Sequence, residues 1–226
     1  MRKIVMFASL IIVIGIVSFS SQSIMGPTEA FGQSGRKVLM MLREGYSEDL
    51  DFMLKMEVGV MTILLKNAGF QVDVATYSGH PIAGPTQKIE KVMKLSEIKL
   101  DDYMGIIMPC ISIGNVPVAP EAVALVKKAL ADGKPVAAAV GSVGMLAEAG
   151  LLKGKKYALG ADPLKITETR KTPDPRFVDA IYSGDGVVQD GKIITAGACP
   201  DAEKLYGQQN RTVELTKTFI AAIGPK

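Results

Sequence analysis

The sequence predicts a three-layer α/β sandwich built on a mostly parallel central sheet. Three observations lead there. Strand-like and helix-like stretches alternate from about residue 36 onward, an order that places helices on both faces of a parallel sheet. The first strand-like stretch, Lys37–Leu42, is a continuous apolar run, as expected of a strand covered on both sides. Residues 36–226, about 190 in all, suffice for one domain with a substantial core.

The first 35 residues stand apart from that domain. Arg2 and Lys3 give a positive start, Ile4 to Phe19 carry no charge, and small residues follow at Ser20, Ser21 and Ser23. Residues 1–23 therefore read as a secretory signal peptide or an uncleaved N-terminal anchor. The apolar run is shorter than the roughly 20 residues of a spanning helix. Cleavage is expected after Ser23 or Ala30. No cysteine lies near the junction, which argues against a lipid-anchored lipoprotein. The stretch from Gln22 to Gly35 is rich in Gly, Ser and Pro, and residues 24–35 read as a flexible tether. The expected location is periplasmic or extracellular, with membrane contact only through an uncleaved N-terminal segment.

Each element of the domain has its own warrant. After the Lys37–Leu42 strand, Asp49 to Asn67 carries Leu50, Met53, Leu54, Val58, Met61 and Leu65 at helical spacing, and Gly69 supplies the stop. Gln71–Thr76 alternates and predicts a second strand. Tyr77 to Ile98 is a polar excursion punctuated by Gly79, Pro81, Gly84 and Pro85. Met104–Pro109 predicts a third strand. Pro120–Ala131 predicts a helix ended by Gly133, and Val136–Val140 a strand of small residues. Gly141–Gly144 reads as a tight turn before a helix from Met145. Val187–Ile194 predicts a hairpin with Asp190-Gly191 at its tip. Asp201–Ile223 predicts one closing helix, with Asp201 as its cap after Pro200. The match of Asn210-Arg211-Thr212 to a glycosylation sequon falls inside that helix and carries no weight.

Composition narrows the partners. The formal net charge is +3; removal of Arg2 and Lys3 leaves +1. No basic patch survives, so nucleic acid is not an expected partner. The absence of Trp and an aromatic content of 6% argue against a stacking platform for single strands. In such sheets ligands bind at the carboxyl ends of strands. Four segments reach that edge: Arg43–Asp51, Pro109–Gly114, Val140–Gly144 and Ala196–Pro200.

One of these segments carries a resemblance. Gly133–Lys156, reading GKPVAAAVGSVGMLAEAGLLKGKK, resembles the core signature of the ThiJ/PfpI family of the class I glutamine amidotransferase-like superfamily. In that family a strand like PVAAI runs into Cys-His-Gly-Pro and then a helix like LLAEAGLLKG. Gly45-Tyr46-Ser47-Glu48-Asp49-Leu50-Asp51 is similar to the acidic loop after the family's first strand. Asp102–Pro109 is similar to its "DYDALVIPGG", and Val187–Thr195 to its "VVVDGNLIT". The resemblance spans nearly all of residues 36–226. It implies a flavodoxin-like sandwich, a homo-oligomer and no cofactor.

The chemistry implied by the resemblance does not carry over residue by residue. Family enzymes use a cysteine on a strained strand-to-helix elbow, tuned by a helix N-terminus and a carboxylate. Here Val140 stands at the nucleophile position and Gly141 at the His that follows it. A β-branched residue suits a strained conformation poorly, so the elbow is expected to be relaxed, or its turn to have moved to Gly141. The family's carboxylate falls on Asp51, whose bland alternative is helix N-terminal charge stabilisation. Cys110-Ile111 replace the family's glycine pair.

Two rival nucleophiles remain. Ser142 lies in Val140-Gly141-Ser142-Val143-Gly144, which lacks the first Gly of a hydrolase elbow; as an alternative it caps the following helix. The single His, His80, sits in the polar excursion and reads as a surface residue. Cys110 ends the third strand, and Cys199 ends a late core strand predicted at Ile193–Ala198. They are open to three readings: a disulfide, two separately packed thiols, or one reactive thiol. Two thiols and one distant His make a poor metal site. The leading expectation is an exported, non-catalytic domain that binds a small ligand or a protein in a crevice lined by Asp51, Cys110, Gly141, Ser142 and Cys199. The alternative is a hydrolase, deglycase or peptidase-like enzyme with displaced chemistry on Cys110 or Ser142.

Overall fold

The computed structural model describes residues 36–43, 49–110, 118–168 and 170–224. The expected signal segment (1–23) and tether (24–35) lie outside them. The first strand, β1 (Lys37–Met41), leads to a helical run in three consecutive stretches: α1 (Leu50–Met53), a π-helical stretch (Leu54–Gly59) and α2 (Val60–Asn67). β2 (Gln71–Thr76) follows, then short strands β3 (Ile82–Ala83), β4 (Lys88–Ile89) and β5 (Val92–Lys94). β6 (Tyr103–Met108), α3 (Pro120–Ala131), β7 (Val136–Ala139) and α4 (Gly141–Glu148) form the middle of the chain. Short strands β8 (Lys156–Tyr157) and β9 (Ile181–Tyr182) precede the hairpin β10 (Val187–Asp190) and β11 (Ile193–Ala196). Two helices, α5 (Pro200–Tyr206) and α6 (Thr212–Ile223), close the fold.

The main sheet has the order β10-β11-β7-β6-β1-β2-β5. Every neighbouring pair is parallel except the β10–β11 hairpin. This is the expected three-layer, flavodoxin-like arrangement. From β1 the chain builds outward through β2 and β5 on one side, then returns to lay β6, β7 and β11 on the other. The order therefore reverses between β1 and β6, and a crevice opens at the carboxyl ends of strands flanking such a point.

Alternation along each strand feeds two cores. Val38, Met40, Ile107, Ala137, Ala139, Ile194 and Ala196 face one cluster, which includes Met61, Leu65 and Phe219 of α2 and α6. Leu39, Met41, Ile106, Met108, Val136, Ala138 and Ile193 face the other, with Val126 of α3 and Leu146 of α4. Small residues in the centre of the sheet let helices come close. At Gly105 a Cβ would stand 3.0 Å from the Phe219 ring and 2.6 Å from Pro135 O, so the ring packs directly on the backbone.

Three elements differ from the sequence reading, each for a local reason. The polar excursion contains β5, a three-residue edge strand parallel to β2, too short to show a period. The closing helix is two helices. Gly207 adopts the left-handed conformation (φ 65°) and ends α5, and Asn210 Oδ1 accepts the Thr212 N–H at 3.0 Å to start α6. The residue that caps α5 is Cys199, not Asp201, with Pro200 in the first turn. Among the described residues no helix is long and apolar enough to cross a membrane.

Candidate functional site

The junction of β7 and α4 forms the floor of the crevice. Val140 has φ 34° and ψ −95°, in the positive-φ region where a β-branched side chain is strained. Its N–H donates to Ala196 O at 2.9 Å and its carbonyl accepts the Val143 N–H at 3.0 Å. The elbow expected to be relaxed is therefore strained, and the turn has not moved to Gly141, which is already the first residue of α4. Glycine at 141 has a separate cause: a Cβ there would collide with the Arg43 guanidinium. Arg43, at the end of β1, reaches across to donate from Nη2 to Cys110 O at 3.2 Å. Burial lowers its pKa, partly offset by the nearby Cys110 and Glu57.

Glu57 is the carboxylate of this site. It is fully buried, and its Oε1 accepts the Cys110 N–H at 2.8 Å. Asp51, expected in that role, is spent elsewhere. Its carboxylate accepts the Thr86 N–H (2.7 Å), the Thr86 hydroxyl (2.6 Å) and the Gln87 N–H (2.9 Å), tying the β3–β4 turn to α1. The sequence did carry a signal for Glu57. It lies three residues after Leu54 and four before Met61, inside the apolar stripe of the helix. A carboxylate in that position is buried unless the helix turns away. The π-helical stretch Leu54–Gly59 contains it, and such stretches concentrate at functional sites.

Cys110 and Cys199 are brought together. Cys110 follows β6 and Cys199 follows β11, with β7 between those strands. Both are free and buried in one apolar cluster. The interaction with Cys199, followed by burial and the charge of Glu57, pushes the Cys110 thiol up. The same interaction pulls the Cys199 thiol down against the effect of burial, and the backbone amides of Ala202 and Asp201 assist. The Gly141 amide faces the Cys110 sulfur.

Ser142 is not the cap of α4. It lies within α4, almost completely buried, and its hydroxyl donates to Pro109 O at 2.6 Å, fastening the helix start to the end of β6. His80 is exposed in its loop. Beside the elbow opens a cavity of about 530 Å³. Val140, Gly141 and Gly144 line one side of it, and Arg170, Arg176 and Gln208 stand among the polar groups around it. A smaller apolar recess of about 250 Å³ lies by Arg43, Met108 and Ser142. Among the described residues no group of three or more His, Cys, Asp or Glu is set to hold a metal ion.

Residues 36–209 match the DJ-1/PfpI family model. The chain belongs to the DJ-1/PfpI family. An uncharacterised Methanocaldococcus jannaschii protein is 31% identical over 178 residues, covering 76% of this chain and 78% of that protein. A Thermococcus kodakarensis deglycase is 29% identical over 155 residues, covering 66% of this chain and 86% of the deglycase. Among solved structures, the Francisella tularensis Rapid Encystment Protein 24 kDa shares the fold with a TM-score of 0.61 at 15% identity, covering 84% of this chain and all of that one. A Brachyspira murdochii ThiJ/PfpI domain protein gives 0.58 at 17% identity, covering 84% of this chain and 96% of its own. Val140 stands at the elbow, and Cys110 follows the neighbouring strand, β6.

Proposed function

We propose that this protein is a thiol-dependent enzyme, hydrolase- or deglycase-like, in which Cys110 replaces the elbow nucleophile. One observation supports this most directly: Cys110 stands beside Gly141 at the start of α4, its carbonyl held by Arg43 and its backbone N–H by Glu57. In this reading Cys110 attacks the carbonyl carbon of a small acyl compound, and its proton passes to the Cys199 thiolate. Arg43 stands beside the negative charge that develops on the carbonyl oxygen. The leaving group departs with that proton, and water cleaves the thioester to return the thiol. The deglycase relative is in keeping with chemistry of this kind.

The experiment compares wild type with Cys110→Ser, using small esters and methylglyoxal as substrates. Cys110→Ser should lower turnover by about two orders of magnitude or more, towards the buffer rate. An unchanged rate sinks the reading. It would leave the second one, a crevice that binds a small ligand or a protein without turnover, favoured by Val140 at the elbow and the neighbouring 530 Å³ cavity. Native mass spectrometry of the purified chain then looks for a retained ligand. Export through residues 1–23 and assembly into a homo-oligomer belong to the same proposal. N-terminal sequencing and light scattering test them.

A further inference from the structure

The cavity beside the elbow, about 530 Å³ in volume, holds an unmatched charge. Two arginines and one carboxylate line it: Arg170, Arg176 and Asp174. Arg176 is matched. Its Nε and Nη2 donate to the Asp174 carboxylate at 3.0 and 2.7 Å, and its Nη1 lies 3.5 Å from Glu148 Oε2. Arg170 is half-buried and makes no ion pair among the described residues. Its Nη1 donates to Asp162 O at 2.8 Å. Its backbone closes a turn on Thr167: the Arg170 N–H donates to Thr167 Oγ1 at 2.9 Å, and its carbonyl accepts the Thr167 N–H at 2.9 Å. These bonds fix the residue at its backbone and at one nitrogen. They leave the side-on edge of the guanidinium, Nε and Nη2, without a hydrogen-bond partner among the described residues.

We propose that this cavity binds short-chain monocarboxylates, with the Nε–Nη2 edge of Arg170 taking both carboxylate oxygens. A planar guanidinium meets a carboxylate in two parallel hydrogen bonds, and a side chain fixed beforehand loses less freedom on binding. Charge selects the class. With Arg176 matched by Asp174, one positive charge remains on the lining, which suits a monoanion. A dianion would bring its second charge towards Asp174 on the same wall. Leu159, Pro163, Phe177 and Ala202 supply apolar lining for the short chain. Size is limited at Gly160, whose carbonyl accepts Gln208 Nε2 at 3.1 Å. A Cβ there would stand 2.9 Å from Gln208 Oε1 and 3.1 Å from Gly197 O, so that wall is closed. The inference rests on the ligand-binding reading of the crevice and is read as binding, so its failure is distinct from the loss of turnover that tests Cys110.

The test is isothermal titration of the full chain at neutral pH with butyrate, butyramide, succinate and phosphate. Butyrate should bind with a Kd of about 1 mM or tighter. Butyramide, the same shape without the charge, should bind about tenfold more weakly or worse, and succinate and phosphate should also bind less tightly than butyrate. Arg170→Gln should weaken butyrate by about tenfold or more and leave butyramide unchanged. Arg170→Lys should recover only part of the loss, because an ammonium cannot present the fork. Lys165→Gln, which removes an exposed cation of the same loop, should bind butyrate as wild type does. Absence of butyrate binding overturns the proposal. So does equal affinity for butyrate and butyramide, a preference for succinate or phosphate, or a butyrate affinity that Arg170→Gln does not move. An equal loss in Lys165→Gln also overturns it, since binding would then follow surface charge at large. A different ligand retained in native mass spectrometry, with no butyrate binding, would overturn the carboxylate class and keep the ligand-binding reading. The four probes on wild type decide the class even if a variant fails to fold.

Discussion

Holding a β-branched side chain at φ 34° and ψ −95° costs about 1–3 kcal/mol, and Val140 is held there by hydrogen bonds to Ala196 and Val143. Replacing it by glycine relieves that strain. The substitution also loses a half-buried isopropyl group, at about 0.8 kcal/mol per buried carbon, and adds about 0.5–1 kcal/mol of backbone entropy to the unfolded chain. The terms nearly cancel, so Val140→Gly should change stability by no more than about 1 kcal/mol, a melting shift of roughly 2–4 °C for a chain of this size. Val136→Gly is the control: it removes the same side chain from a fully buried position in β7 without any strain to release, and it should cost about 3 kcal/mol. Equal losses in thermal or denaturant unfolding would show that Val140 is not strained. The identity of residue 140 pointed away from a strained elbow because propensity weighs one residue at a time. Here the surrounding strand and helix decide the backbone.

The first helical run shows how a single element serves two ends. Its amino end, through Asp51, fixes the β3–β4 turn. Its π-helical stretch holds Glu57 under Cys110. Reading the acidic loop by similarity alone selected Asp51, because that carboxylate stands at a helix start. The apolar stripe, read by period, contained Glu57 all along. The Thr86 hydroxyl, then the Gln87 and Thr86 amides, hold the Asp51 carboxyl below its ordinary range. A carboxyl lowered in the folded state contributes stability above its unfolded pKa of about 3.9, and that contribution fades as pH falls through the lower, folded value. Asp51→Asn should therefore melt below wild type at pH 7, and the gap should narrow steadily as the pH drops under about 4. A gap that stays constant down to pH 2 would mean that the charge of Asp51 contributes nothing to the turn.

At the scale of the whole molecule, the sheet was legible and the site only partly so. Continuous apolar strands separated by helical periods predict layers because each element must bury its own face. The site is assembled from the carboxyl ends of β1, β6, β7 and β11 and one residue of a helix, and only topology brings these together. Cys110 and Cys199 illustrate this: each could be placed at a strand end, but only the order β11-β7-β6 sets the two ends on either side of β7. The same topology gives the pair leverage over stability. A bridge between them would close a loop of roughly 90 residues, and in the chain-entropy description such a loop stabilises by about 4–5 kcal/mol when the native geometry accepts it. At roughly 2–4 °C per kcal/mol, the oxidised chain should melt about 10 °C or more above the reduced chain. Calorimetry of one preparation with and without dithiothreitol measures the difference, with Cys110→Ser as the reference insensitive to reductant. A rise confined to wild type means that the two strand ends already lie in bridging geometry. A fall on oxidation would mean that the ends of β6 and β11 must shift about β7 to join, and that the native geometry does not accept the bond.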